Sequence, residues 1–183
     1  MSKAVLMGRS RYKIFEDRQP YFLTCSVVHW LPLLAEPRVA ILVLESLRFL
    51  QDEKRLELYA YVIMDNHLHI IASANDLQKE IANFKSFTAR SIIEALKAMT
   101  KTDWLDELRH FKAKHKKDRE YQFWQEGAHP EQIRGLEMMK QKVEYIHLNP
   151  VRRGLVQNPE DWIYSSAGNY LGKSGLLAVK TDW

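Results

Sequence analysis

One tight turn does most to limit what this chain can fold into. Leu56 to Met64 is rich in Leu, Tyr, Val and Ile and reads as a strand, and His67 to Ala72 reads as another. Only Asp65 and Asn66 separate them, residue types suited to a tight turn. The two runs therefore form a hairpin, which implies an antiparallel sheet. Tyr21 to Val28, aromatic and β-branched, reads as a further strand. From Arg38 to Gln51, Ile41, Leu44, Leu47 and Leu50 recur at helical spacing. Asp76 is placed to cap a long helix whose face carries Leu77, Ile81, Phe84, Thr88, Ala95 and Met99. Leu136, Met139, Val143 and Ile146 form another apolar stripe, and Pro150 is expected to stop that helix. Residues 100 to 128 specify no clear element, and a short extended piece is expected near Ile133. This order suits an α+β layer, one antiparallel sheet with helices on one face.

The 183 residues are 46% hydrophobic and 27% charged, which excludes long disorder and low-complexity classes. Such a length can bury a core without disulfides, and the single cysteine, Cys25, matches a reducing compartment. No run of roughly 18 apolar residues is present, so no membrane partner is expected. A basic tail is expected over residues 1–20, the main domain over 21–156, and a C-terminal extension over 157–183. Trp162, Tyr164 and Tyr170 of that extension are expected to pack back onto the domain. The net charge of +4 permits a polyanionic partner without demanding one. Its distribution says more: Lys112, Lys114, Lys116, Lys117 and Arg119 crowd one stretch, and Arg152 and Arg153 form a second basic point. Each suits a solvated surface or a track for phosphates.

Side chains alternate faces along a strand, so His67 and His69 point the same way with Cα atoms roughly 6.6 Å apart. Two neutral imidazoles at that spacing can converge on one divalent metal, or can be two incidental polar residues. Tyr145 and Asn149 are about 40° apart around a helix, so a phenol and an amide oxygen can reach one small volume. The same positions also suit a core-edge aromatic and a C-terminal cap. His147 lies on another side of that helix. A metal with three protein ligands keeps positions open for substrate and can polarise a phosphate. A tyrosine beside that phosphate could attack in line, forming an ester that stores the energy of the broken bond. Water in its place would give hydrolysis.

Met64-Asp65-Asn66-His67-Leu68-His69-Ile70-Ile71 after a Tyr-Val-Ile strand, followed by Tyr145-Ile146-His147-Leu148-Asn149-Pro150, resembles the HUH-type single-tyrosine transposases. It is most similar to the REP-associated tyrosine transposases. The similarity runs from about Tyr21 to Tyr170 and includes residues 84–90 and 123–129. The resemblance implies a ferredoxin-like core with the histidine pair on a central strand. It implies that His67 and His69 bind Mg²⁺ or Mn²⁺ and that Tyr145 is the nucleophile. The product would be a 5′-phosphotyrosine on single-stranded DNA with a free 3′-hydroxyl. Relatives often carry Gln where this chain has Asn149 as a third ligand, one methylene shorter.

The implied substrate is a single strand bearing an imperfect hairpin. Candidate DNA contacts are Lys85 and Arg90, then Lys112, Lys114, Lys116 and Lys117, then Arg152 and Arg153. The expected setting is the bacterial cytoplasm, at the nucleoid, and both monomer and homodimer stay open. Two other readings stand beside the strand-transferase: a hairpin-binding module without chemistry, and a metal-dependent phosphodiesterase that uses water.

Overall fold

The computed structural model describes residues 18–183, so most of the expected basic tail lies outside the described residues. The hairpin forms from β2 (Glu57–Ile63) and β3 (His67–Ser73), with Ile63 opposite Leu68. β1 (Tyr21–Ser26) pairs with the other side of β3, Thr24 opposite His69. The short β4 (Glu131–Gln132), close to the expected extended piece, pairs with β1. The antiparallel sheet thus has the order β2-β3-β1-β4. α1 (Pro37–Asp52) connects β1 to β2, and α2 (Leu77–Ala98) leaves β3. α3 (Thr102–His110) follows α2, and α4 (Leu136–Arg152) follows β4. This is the α+β ferredoxin-like arrangement, and the strand bearing His67 and His69 is an interior one.

Local chemistry explains the elements. Asp76 accepts a hydrogen bond from the Lys79 N–H at 3.0 Å, the cap its position suggests. Pro37 opens α1, where its missing N–H costs nothing. Along β3, Leu68, Ile70 and Ala72 face one core with Leu23, Cys25, Tyr61 and Ile63, beneath α1 and α2. Ile71 faces the other way with Phe22, Ala60 and Val62, beneath Met139, Val143 and Ile146 of α4. A register irregularity between Leu58 and Ala60 puts Tyr59 on this second face beside Ala60.

Three expectations are corrected. Helices cover both faces of the sheet, because α4 brings its own apolar stripe to the side opposite α1 and α2. α4 also runs through Pro150 to Arg152. Proline removes one donor from the last turn but keeps its carbonyl, which accepts from the Leu155 N–H at 3.0 Å. Finally, Ile41 and Leu136 are exposed, and the α1 stripe runs instead through Val39, Ala40, Val43, Leu44, Leu47 and Leu50.

Both sheet edges are occupied by irregular chain. On the β2 edge, the Ile63 N–H bonds the Tyr164 carbonyl at 2.9 Å, the Ser166 N–H bonds the Tyr61 carbonyl at 3.0 Å, and the Lys180 N–H bonds the Leu58 carbonyl at 2.9 Å. Trp162 and Tyr170 add side-chain bonds to the carbonyls of Ile63 and Tyr59. On the β1 edge, Trp124 bridges Val27, and the Thr24 N–H bonds the Ala128 carbonyl at 2.8 Å. Among the described residues no helix is long and apolar enough to cross a membrane.

Candidate active site

The second face of the sheet carries the polar groups. His67 and His69 project from β3 toward the α4 side, 8% and 5% exposed, with ring centroids 4.6 Å apart. Each ring has one nitrogen engaged. His67 Nδ1 lies 2.7 Å from Asn66 Oδ1, an acceptor, so Nδ1 carries the proton and Nε2 keeps a free lone pair. His69 Nδ1 lies 2.9 Å from Thr24 Oγ1 on the neighbouring strand, and donation to that hydroxyl likewise frees Nε2. Burial holds both imidazoles neutral. His67 is pushed down to about 4 by burial and the charge of Arg153, against the opposing Asp65. His69 is pushed down to about 3 by burial, with His67 and Lys142 adding to it. Neutral rings with oriented Nδ1 partners are ready to act as metal ligands.

α4 brings the phenol. The Tyr145 ring centroid lies 5.4 Å from that of His69 and 5.8 Å from that of Phe22, edge-on to both. Phe22 in turn stacks on His69 at 5.2 Å. Tyr145 is 39% exposed, so its hydroxyl is not sealed in the core. Arg152, two turns on, holds its guanidinium over the Tyr145 ring at 5.5 Å. Lys142, nearly one turn earlier, sits over Phe22 at 4.7 Å and pairs with Glu131. Asn149 is buried on the same helix. His147 turns away, 2.9 Å from the Ser166 hydroxyl and packed against Tyr170.

One ion pair links the hairpin turn to the end of α4. Arg153 Nη1 donates to Asp65 Oδ1 at 2.9 Å and Nη2 to Oδ2 at 3.4 Å. Arg153 therefore ties the tyrosine helix to the turn that precedes the histidines.

The other basic candidates sit elsewhere. Lys85 is on α2, which covers the opposite face; its ammonium donates to the carbonyls of Gln125 (2.7 Å) and Gly127, clamping the segment beside β1. Lys112 likewise donates to the carbonyls of Lys116 and Arg119 within its own loop. Lys116 pairs with Glu126 at 2.8 Å. Lys114 and Lys117 are exposed. Arg90 is exposed and lines a groove of about 720 Å³ between α2 and residues 116–127, together with Lys116 and Arg119.

Among the described residues no cluster of three or more His, Cys, Asp or Glu is arranged to hold a metal. A cation at this face would have the Nε2 lone pairs of His67 and His69 as ligands, and Asn149 is carried on α4, the helix whose Tyr145 meets His69. That donor set fits a divalent ion with positions left for substrate oxygens. Two imidazoles favour Mn²⁺ over Mg²⁺, which prefers oxygen and water. Sequence reasoning missed Lys142, Thr24, Phe22 and Trp30 as neighbours of this site. Lys142 was within reach of it, since a residue three before Tyr145 shares its helix face. The others come from strands and loops whose register only the fold supplies.

The sequence matches the family described as "Transposase IS200 like" over residues 32–108, a span that holds the histidine pair and ends before Tyr145. A solved structure described as a REP-associated tyrosine transposase bound to a REP hairpin aligns over 95% of this chain and 94% of its own, at 18% identity and a TM-score of 0.61. A second, described as a candidate transposase from Deinococcus radiodurans, aligns over 81% of this chain and 98% of its own, at 16% identity and a TM-score of 0.44. No curated protein matches the sequence. The chain thus resembles the IS200-like transposases in sequence and shares its fold with a REP-associated tyrosine transposase.

Proposed function

We propose that this protein nicks and rejoins single-stranded DNA beside hairpins, with Tyr145 as nucleophile and His67, His69 and Asn149 holding Mg²⁺ or Mn²⁺. One observation carries the reading: a half-exposed phenol from α4 meets two buried, neutral imidazoles from β3, their rings 5.4 Å apart at His69. A structural core would not need that combination of groups. A divalent ion held there would polarise the scissile phosphate and stabilise charge developing on it. Tyr145 Oη would form a bond to phosphorus while the bond to the 3′-oxygen breaks. The phenolic proton passes to solvent, and the leaving 3′-oxygen gains one. Attack of a 3′-hydroxyl on the phosphotyrosine reverses these steps and rejoins a strand without a nucleotide cofactor. Arg152 would hold the phosphate by charge, a role supported by its guanidinium lying over the Tyr145 ring. The fold shared with a protein solved on a REP hairpin supports a hairpin partner. The expected setting is the bacterial nucleoid, acting as monomer or homodimer.

The test is a denaturing gel with labelled single-stranded hairpin oligonucleotides taken from sequences flanking the gene, with Mn²⁺, Mg²⁺ or chelator. A protein-linked band in wild type, lost with chelator and in Tyr145→Phe, is the expected result. Cleavage by both proteins without that band would mean a phosphodiesterase using water. Tight binding with no cleavage in any condition would mean a hairpin-binding module.

A further inference from the structure

The loop after β1 holds an unusual pair of conformations. His29 and Trp30 both take left-handed backbone angles, with φ of 53° and 59°. For non-glycine residues this is costly, and two in succession persist only where the surroundings impose them. The surroundings do so here. The Val27 N–H bonds the Asn66 carbonyl in the hairpin turn at 2.9 Å, and the Val28 N–H bonds the Phe123 carbonyl at 2.7 Å. His29 is stacked face to face on Phe111 with centroids 3.7 Å apart. The strained turn sends the next side chain the other way. Trp30 is 54% exposed, its indole lies 6.0 Å from His67 edge-on, and among the described residues the indole Nε1–H has no partner, the backbone N–H donating to the Val27 carbonyl at 3.0 Å.

A large indole left half in water is not explained by core packing. Among the described residues its one ring neighbour is a histidine of the candidate site. We propose that Trp30 is a stacking platform for one unpaired nucleobase of the single-stranded DNA, next to the phosphate that faces His67 and His69. The inference rests on the proposed function and adds a base-binding subsite to it. Every base has a π-face, so a platform at this place fixes where the strand lies without reading its sequence.

Glycine adopts positive φ freely, so Trp30→Gly removes both the ring and the strain. The experiment measures binding by fluorescence anisotropy, using the flanking-sequence oligonucleotide that wild type holds best. An abasic residue is stepped through the nucleotides around the nick. Trp30→Gly is expected to keep or raise the melting temperature and to lose roughly 10-fold or more in affinity. Trp30→Tyr should recover most of that loss. At one abasic position the variant and wild type should bind alike, because the base that stacks is already gone. Equal binding by Trp30→Gly and wild type at every position, with the Tyr145 adduct still formed, overturns the platform and leaves the parent reading intact. A loss that no abasic position cancels also overturns it. Failure of wild type to bind any of the oligonucleotides defeats the parent reading, and the platform with it.

Discussion

The two faces of the sheet are built from the same strands and do different work. Beneath α1 and α2, β3 contributes Leu68, Ile70 and Ala72, and the layer is mainly apolar, with Thr88 and Ser46 among its few buried polar side chains. Beneath α4, the alternate residues of the same strand are His67, His69 and Ile71, and the polar pair lies at the end nearest the turn. The first face carries most of the folding free energy, at about 1.5–3 kcal/mol for each fully buried aliphatic side chain. The second face is relieved of part of that duty and can hold two dehydrated imidazoles, a buried amide and a half-exposed phenol. The lesson is that stability and chemistry are divided by strand parity, so neighbouring residues should respond to mutation in opposite ways.

The largest effect should come from Tyr145→Phe. Adduct formation should fall by on the order of 10³-fold or more, with melting temperature and hairpin affinity nearly unchanged. A normal adduct on the denaturing gel would remove the tyrosine from the site. Next come neighbours of opposite parity. Leu68→Ala should cost about 2–5 kcal/mol in urea unfolding, whereas His69→Ala should cost less than about 1.5 kcal/mol and abolish metal-dependent nicking. Equal destabilisation by the two would break the division between faces.

His67 and His147 are held at about 4 and His69 at about 3, below the ordinary value, chiefly by burial. The folded chain therefore refuses protons that the unfolded chain accepts below about pH 6.5. Stability is full above that pH and falls as pH drops toward 4, each histidine adding a slope of about 1.4 kcal/mol per pH unit. In chelator, His147→Gln should flatten the urea-unfolding profile between pH 6 and 4.5 by roughly one histidine's share; an unchanged slope would mean that His147 is not sheltered on the α4 face. Smaller still is Arg153→Ala, a partly exposed bridge worth under about 1 kcal/mol of stability. Its effect should instead appear as a several-fold slower nicking rate at saturating DNA, restored in part by swapping the charges of Asp65 and Arg153. The smallest is Lys114→Ala with Lys117→Ala, which should leave nicking intact and lower the salt dependence of binding by at most about one phosphate each.

Much of this is legible in the sequence. The Asp65-Asn66 turn and strand alternation put both histidines on one face, and helical spacing carried Tyr145 and Asn149 together on α4. What stayed hidden depended on long-range contacts. Lys85 looked like a free cation on a helix surface, but its destination is set by carbonyls some 40 residues away. Periodicity shows that α4 has an apolar stripe and not which sheet face receives it, hence the second covered layer. Pro150 looked like a stop because local rules weigh its lost hydrogen bond and not the burial of the turn that holds it. Trp30 gave no signal at all, since left-handed φ at two non-glycine residues is imposed by Asn66, Phe111 and Phe123 rather than by their own preference.

The strap along β2 has a consequence of its own. β2 is an outer strand, and among the described residues the carbonyls of Leu58 and Tyr61 and the N–H of Ile63 are satisfied by residues 164–180. A chain that ends before Tyr164 would bare those groups to any other extended polypeptide. Truncation of this kind should show itself first as copies adhering edge to edge, with the histidine and tyrosine geometry still largely in place.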